Sequence, residues 1–213
     1  MGIVAVGDSL VNAELSWAHW LGRAMDQPLD RVSADGARSA GVREQVRLLE
    51  GHQYDVACLT VGTNDILFDW DPGEFADNLA AIVDAAKGSA ERVVVPTISL
   101  GLASFPGSGA VFRRRVRQAN AVLDESGALV FAGDDLRGPR LMGPDRIHPT
   151  LVGQLVLADR AAELLGVAPS PSSLVARDRA PGWSSYYRVT AGQVPRRIVK
   201  RALGRPMYRL PEE

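Results

Sequence analysis

The sequence contains little cysteine and no long apolar run, and each of these absences excludes a class of structure. Cys58 is the one cysteine among 213 residues, so no disulfide can form within the chain and the fold does not depend on an oxidising compartment. No stretch approaches the ~18 uninterrupted apolar residues of a membrane-spanning helix. No basic and apolar leader precedes the first apolar segment, which begins almost at Met1. We therefore expect a cytoplasmic protein.

The signatures of several kinds of site are also missing. No cluster of His, Cys, Asp and Glu has the spacing of metal ligands, so we expect no metal and no other cofactor. The glycines of residues 99–109 lack the spacing of a dinucleotide or phosphate loop. This segment is predicted to be a loop that either borders a substrate pocket or simply connects two elements. No Gly-x-Ser-x-Gly elbow occurs, which disfavours the ordinary α/β-hydrolase fold.

Arginine is concentrated in residues 113–117, and such a cluster is typical of surfaces that bind nucleic acids. The domain around this segment is net acidic, and no aromatic stacking residues interleave with the arginines. These features favour a solvated helix face. We expect no nucleic-acid partner.

The composition that remains is typical of one α/β domain. Apolar residues make up 46% and charged residues 23% of the chain, and its length suits one full core better than two domains. Apolar strands and helical patterns alternate about five times, which predicts a mainly parallel sheet with helices on both faces. The predicted strands are 3–6, 29–32, 55–61, 93–95 and 129–131, and the predicted helices are 14–25, 42–49, 71–86, 111–123 and 150–165.

Charge divides the chain into two parts. Residues 168–213 contain nine Lys or Arg and three Asp or Glu, a charge of +6, which leaves 15 basic against 22 acidic residues and a charge of −7 for residues 1–167. The change coincides with a segment rich in Pro and Ser at 169–173. We therefore predict a globular domain at 1–167 and a basic C-terminal extension at 168–213, partly helical or flexible.

One segment of the extension has an amphipathic pattern. A helix over 195–205 would place Ile198, Val199, Ala202 and Leu203 on one face and basic residues largely on the other. Such a helix fits the surface of an anionic membrane. It fits equally a helix docked on the acidic domain of its own chain, or one that binds a partner. The sequence does not determine the oligomeric state.

A serine follows the first predicted strand. The apolar run at 3–6 ends in Gly7-Asp8-Ser9, which holds the hydroxyl of Ser9 at the carboxyl edge of the sheet, where open α/β folds bind their ligands. Ser9 is therefore a candidate nucleophile. Gly, Asp and Ser are also ordinary turn residues, so these three residues alone leave both interpretations open.

A carboxylate and a histidine lie three residues apart near the end of the domain. His148 follows the last predicted strand and so returns to the same sheet edge as Ser9. A serine hydroxyl is a poor nucleophile until a base takes its proton, and Asp145 has the spacing to orient the imidazole. Asp145 could instead cap backbone N–H groups ahead of the closing helix.

Four sequence blocks occur in a fixed order, and together they resemble a known family. The blocks are Gly7-Asp8-Ser9-Leu10, Ala34-Asp35-Gly36, Gly62-Thr63-Asn64-Asp65 and Asp145-Arg146-Ile147-His148. On these blocks, residues 3–167 resemble the GDSL-type, or SGNH, hydrolases, a family of esterases and lipases. The resemblance implies a flavodoxin-like three-layer α/β/α sandwich with about five strands. It also implies a catalytic triad of Ser9, Asp145 and His148, and an oxyanion hole of the Ser9 and Gly36 N–H groups and the Asn64 amide.

The resemblance implies a serine hydrolase that cleaves small-molecule or lipid carboxylic esters through an acyl-serine intermediate. An alcohol acceptor could resolve the same acyl-enzyme, which would make the protein an acyltransferase. A non-catalytic binding module that keeps the fold is a further alternative. The presence of all five key residues disfavours that last alternative.

Overall fold

A computed structural model describes residues 2–101, 109–143 and 145–175 of the chain. Within these residues, a parallel sheet of five strands has the order β2-β1-β3-β4-β5. The strands are β1 (Ile3–Gly7), β2 (Leu29–Ser33), β3 (Tyr54–Thr60), β4 (Ala90–Pro96) and β5 (Leu129–Phe131). Because β1 lies between β2 and β3, the loops that follow these three strands meet at one edge of the sheet.

Helices cover both faces of the sheet. They are α1 (Ser9–Asn12), α2 (Trp17–Met25), α3 (Ser39–Arg47), α4 (Thr63–Phe68), α5 (Pro72–Ser89), α6 (Gly109–Asp124), α7 (Gly138–Leu141), α8 (Leu151–Leu165) and α9 (Pro171–Val175). The buried residues of α3, α5 and α6 belong to one apolar cluster, and those of α2, α8 and α9 belong to the other. This is the predicted α/β/α sandwich.

Alternate residues of each central strand pack into one or the other of the two clusters. In β1, Val4 and Val6 join the cluster of α3, α5 and α6, while Ile3 and Ala5 join the other. This alternation is the period of two that a strand imposes, and because both faces are covered the strand is apolar throughout. Cys58 in β3 is fully buried, and burial raises the pKa of its thiol. It is the core residue that its apolar surroundings predict.

The predicted elements differ from the observed ones mainly at their ends. The helix predicted to begin at residue 14 begins at Trp17, because the Ser16 side chain accepts the backbone N–H of His19 and caps α2 there. Thr150 likewise caps α8. The sequence does not predict the short helices α1, α4, α7 and α9, because their residues are typical of turns.

The arginine-rich segment lies on α6 and is mostly exposed, as predicted. Arg113, Arg114 and Arg117 face solvent. Arg115 instead donates from its guanidinium to the backbone oxygen of Ile66 at 2.7 Å and so ties α6 to α4. The segment therefore has a structural contact as well as a solvated face.

The described structure continues past the predicted boundary at residue 167. The helix α9 packs against the domain, and its Pro171 and Val175 are buried. Residues 176–213, which include the helix predicted at 195–205, lie outside the described residues. Among the helices that are described, none is long and apolar enough to cross a membrane.

Candidate active site

Ser9 lies at the carboxyl end of β1, on the first turn of α1. The turn before it requires glycine: Gly7 has a φ of +140°, and a Cβ there would lie 2.1 Å from the Thr60 backbone oxygen. The next residue, Asp8, is fully buried and caps α1. Its Oδ1 accepts the Leu10 N–H at 3.0 Å and the Thr60 hydroxyl at 2.9 Å. The backbone under Ser9 is therefore held against β3.

A hairpin-like loop carries His148 to the same edge of the sheet. Met142 and Pro149 form an antiparallel bridge, and the Gly143 N–H donates to the His148 backbone oxygen at 2.7 Å. Within the loop, Arg146 has a φ of +56°, which turns the chain back on itself. The sequence predicted that His148 follows the last strand, and the structure places α7 between that strand and this loop.

Hydrogen bonds join Ser9, His148 and Asp145 in a chain. The His148 Nδ1–H donates to Asp145 Oδ2 at 2.6 Å, which leaves Nε2 to accept from the Ser9 hydroxyl at 2.8 Å. Asp145 Oδ1 accepts the backbone N–H groups of Ile147 at 3.1 Å and His148 at 3.0 Å. The carboxylate thus accepts two N–H groups of a turn and also holds the imidazole. It does not cap α8, whose N-cap is Thr150.

Asp145 is charged throughout the ordinary pH range. Burial by itself would raise the pKa of this carboxyl. The hydrogen bond and charge of His148, together with the two backbone N–H groups, outweigh burial and lower the pKa of Asp145 to about 2. A charged carboxylate is the form that can stabilise a protonated imidazole.

Two backbone N–H groups at this edge of the sheet, those of Ser9 and Gly36, are candidate donors to a ligand. Gly36 lies exposed in the loop between β2 and α3 with a φ of +78°. Within the described residues, neither the Gly36 N–H nor the Ser9 N–H donates to an acceptor. Both lie at the carboxyl ends of neighbouring strands, so the structure brings them to the same edge.

Asn64 lies at the start of α4, after the third neighbouring strand. Gly62, whose φ is +101°, is the N-cap of the helix, and Asn64 is the second residue of the helix, after Thr63. The Asn64 Nδ2 donates to the Ala37 backbone oxygen at 2.9 Å. An amide nitrogen carries two hydrogens, so this bond orients the group and leaves one donor.

Several polar residues that support this edge were not among the predicted site residues. Asp65 accepts the Ser39 hydroxyl at 2.6 Å and its N–H at 3.0 Å. Asn12 bonds both Ser33 and Asp35. Asp35 and Asp65 lie within the sequence blocks noted above, but a sequence gives no signal for which side chain each one pairs with.

An apolar pocket lies behind the His148 loop. It lies between the ends of β3 and β4, the loop and α8, and it is open to solvent on one side. Its lining includes Leu10 and Ile147, the chain neighbours of Ser9 and His148, together with Ile98 and Leu136. Ser99 also lines it, so the start of the loop predicted at 99–109 borders this pocket; residues 102–108 lie outside the described part of the chain.

The described residues contain no group of three or more His, Cys, Asp or Glu that could hold a metal ion. The site is built from one hydroxyl, one imidazole, one carboxylate and N–H donors. This set of groups can carry out acyl transfer.

Comparison with known proteins identifies the family. The model of the GDSL-like lipase/acylhydrolase family matches residues 5–156. A search of curated proteins found no match.

Solved structures share the fold at low sequence identity. A member of the lipolytic G-D-S-L family from Veillonella parvula is 19% identical, with a TM-score of 0.63 over 78% of this chain and 98% of that one. The esterase EstA from Pseudoalteromonas sp. is 19% identical, with a TM-score of 0.58 over 78% and 96%. The acetylxylan esterase Axe2 from Geobacillus stearothermophilus is 14% identical, with a TM-score of 0.60 over 78% and 94%. The chain therefore belongs to the GDSL-like lipase/acylhydrolase family and is a carboxylic ester hydrolase of the SGNH type.

Proposed function

We propose that the protein is a serine hydrolase that cleaves carboxylic esters through an acyl-Ser9 intermediate. The observation that carries this proposal is the continuous chain of hydrogen bonds from Asp145 through His148 to the Ser9 hydroxyl. This arrangement supplies a nucleophile, a base and a group that orients the base.

In the first half of the reaction, Ser9 Oγ attacks the carbonyl carbon of the ester while its proton passes to His148 Nε2. The carbonyl oxygen becomes an oxyanion in the tetrahedral intermediate. When that intermediate collapses, the bond to the alcohol oxygen breaks and His148 gives its proton to the leaving alcohol. The charged Asp145 stabilises His148 while the imidazole is protonated.

In the second half, water replaces the alcohol. His148 takes a proton from water, whose oxygen attacks the acyl carbon. When the second tetrahedral intermediate collapses, the bond between the acyl carbon and Ser9 Oγ breaks, His148 returns its proton to Ser9 Oγ, and the carboxylic acid leaves. Water and ester are the only reactants, so this cycle requires no cofactor.

Three donors are assigned to the oxyanion. The Ser9 N–H, the Gly36 N–H and the Asn64 amide lie at the ends of adjacent strands, and removal of one such donor typically costs roughly 10²–10³ in kcat. The free state of the two backbone N–H groups among the described residues supports this assignment. The hydrogen bond from Asn64 to Ala37 supports it as well, because it pre-orients the amide.

The apolar pocket suits the hydrocarbon part of an ester, because its lining next to Leu10 and Ile147 is largely apolar. The related EstA fold was solved with the enzyme inhibited by monoethylphosphonate. Phosphonates can mimic the tetrahedral intermediate of ester hydrolysis, which agrees with the same chemistry here.

Direct capture of the intermediate tests the proposal. The protein is mixed with p-nitrophenyl butyrate, quenched in acid during turnover and digested, and we expect a butyryl group on the peptide that contains Ser9. The variants Ser9→Ala and His148→Ala should fold normally and lose most activity. Ser126→Ala is the matched control, because this serine precedes β5 at the opposite edge of the sheet. Butyryl on another residue, or parent-rate hydrolysis by His148→Ala, contradicts the assignment.

The same assay separates hydrolysis from acyl transfer. With primary alcohols added, an acyltransferase diverts the acyl group from free acid to a new ester. A hydrolase continues to release acid.

A further inference from the structure

The side chain of Asn12 connects the nucleophile helix to the loop that carries Gly36. Its Oδ1 accepts the Ser33 hydroxyl at 3.0 Å, and its Nδ2 donates to Asp35 Oδ1 at 2.9 Å. Ser33 is the last residue of β2, and Asp35 directly precedes Gly36. One amide therefore holds the loop at two points.

The position of Asn12 in α1 makes this contact relevant to the nucleophile. Asn12 lies three residues after Ser9 in the same short helix, so both side chains project from one side of it. Between the two points that Asn12 holds, the Ala34 N–H donates to the Gly7 backbone oxygen at 3.0 Å. These bonds tie the loop to the strand and the helix that present Ser9.

A second set of bonds holds the far side of the loop. Asn64 donates to the Ala37 backbone oxygen, and Asp65 accepts the hydroxyl and N–H groups of Ser39. Gly36 lies between the two sets. It has no side chain of its own to fix it, so its N–H is positioned by the residues on either side.

We propose that Asn12 is a positioning residue for the reaction, and that through Ser33 and Asp35 it fixes the Gly36 N–H relative to Ser9 Oγ. This inference rests on the proposed function, in which that N–H stabilises the oxyanion. Asn12 itself does not touch the reacting atoms.

The inference predicts a loss in kcat more than in KM. Donors must lie within about 2.7–3.1 Å of the oxyanion, and a misplacement of ~1 Å can cost up to 10²-fold. The oxyanion exists only in the transition state and the intermediates next to it, so binding of the ground-state ester in the apolar pocket changes little.

Exchange of the two polar groups tests the contact directly. Asn12→Asp places a carboxylate against Asp35, and repulsion between them should displace the loop; we expect kcat for p-nitrophenyl butyrate to fall about tenfold or more, with KM within about twofold. Asp35→Asn alone should have a smaller effect, because its amide can turn its oxygen toward Asn12. The double variant restores a donor and an acceptor in exchanged positions and should recover most of kcat.

The pH profile separates positioning from a change in charge. If the carboxylate at position 12 acted on His148 only through its charge, the acid limb of the profile would shift in both Asn12→Asp and the double variant, and kcat would not recover. Tyr54→Phe is the matched control for stability, because Tyr54 donates to Asp30 at 3.1 Å from the amino end of β3, away from the site. It should lower Tm without lowering kcat.

Three results overturn the inference: parent kcat in Asn12→Asp, no recovery in the double variant, or a loss of kcat that follows Tm as closely in Tyr54→Phe as in Asn12→Asp. Failure of the proposed function has a different signature. In that case the parent itself neither hydrolyses the ester nor reacts with a fluorophosphonate, and the inference fails with it.

Discussion

Asp145 holds His148 by two atoms at once. One carboxylate oxygen accepts the backbone N–H of His148 at 3.0 Å, and the other accepts the ring Nδ1–H at 2.6 Å. The first bond sets where the residue lies in its loop, and the second sets the direction and tautomer of the ring. The two bonds are separable by mutation.

The variant Asp145→Asn should keep the bond to the backbone N–H of His148 and disrupt the bond to its ring. The amide oxygen can still accept backbone N–H groups, whereas the amide nitrogen facing Nδ1 favours the wrong tautomer of His148. We expect kcat to fall by up to ~10⁴ while the far-ultraviolet circular dichroism stays unchanged. A variant that retains kcat within a few fold of the parent would show that the carboxylate does not act through the ring.

Asp8 should make the folded protein less stable as the pH rises, whereas a carboxylate in an ion pair makes it more stable. Burial raises the pKa of Asp8, only partly opposed by its bonds from Leu10 and Thr60, and its Oδ2 has no hydrogen-bond partner in the described structure. An acid whose pKa is raised by folding loses stability as the pH rises above its unfolded value, about 3.9.

The variant Asp8→Asn removes that ionisation. We expect the Tm of the parent, relative to Asp8→Asn, to be highest below about pH 4 and to fall as the pH rises toward neutrality. Asp145 does not obscure the comparison, because its lowered pKa stabilises the fold above pH 4 in both proteins and this contribution is lost only between about pH 4 and 2. A Tm difference that is constant from pH 4 to 7 would contradict the burial effect.

Two glycines should respond oppositely to alanine. At Gly7 a Cβ would collide with the Thr60 backbone oxygen, and φ is +140°, so Gly7→Ala should prevent folding or lower Tm steeply. At Gly88, inside α5, a Cβ meets nothing within 4 Å, and alanine favours a helix over glycine by up to ~1 kcal/mol. Gly88→Ala should therefore equal or exceed the parent in Tm. A parent-like Tm for Gly7→Ala would show that this turn tolerates a side chain.

Contact with anionic membranes is one of the three roles that the pattern of the basic segment at 191–213 fits, beside docking on its own domain and binding a partner, and it can be tested with lipid vesicles. The segment contains six Lys or Arg and two Asp or Glu, and cationic segments are drawn to acidic lipid headgroups in a salt-dependent way. The full chain should sediment with vesicles that contain phosphatidylserine, less so with phosphatidylcholine alone, and less again at high salt. Sedimentation that is unchanged by deletion of 191–213 would refute the prediction.

The sequence predicts the strands well, and it predicts that Ser9 and His148 lie at the same edge of the sheet, for a physical reason. Apolar runs such as that at 3–6 are set by burial on both faces, and Ser9 and His148 follow such runs or lie in a recognisable block. The helix α4 could not be predicted, since Gly-Thr-Asn-Asp is a sequence typical of turns. The burial of α4 depends on Ser39, which is distant in the sequence and pairs with Asp65. The contact of Asn12 with Asp35 joins α1 to the loop after β2, and local sequence does not encode such a pairing.

The central claim is that Ser9 is an activated nucleophile. The most direct test is the intact mass of the protein after exposure to a fluorophosphonate probe, with the parent and Ser9→Ala treated side by side. We expect one adduct on the parent and none on Ser9→Ala. An adduct that persists in Ser9→Ala, or no adduct on the folded parent, would contradict the claim.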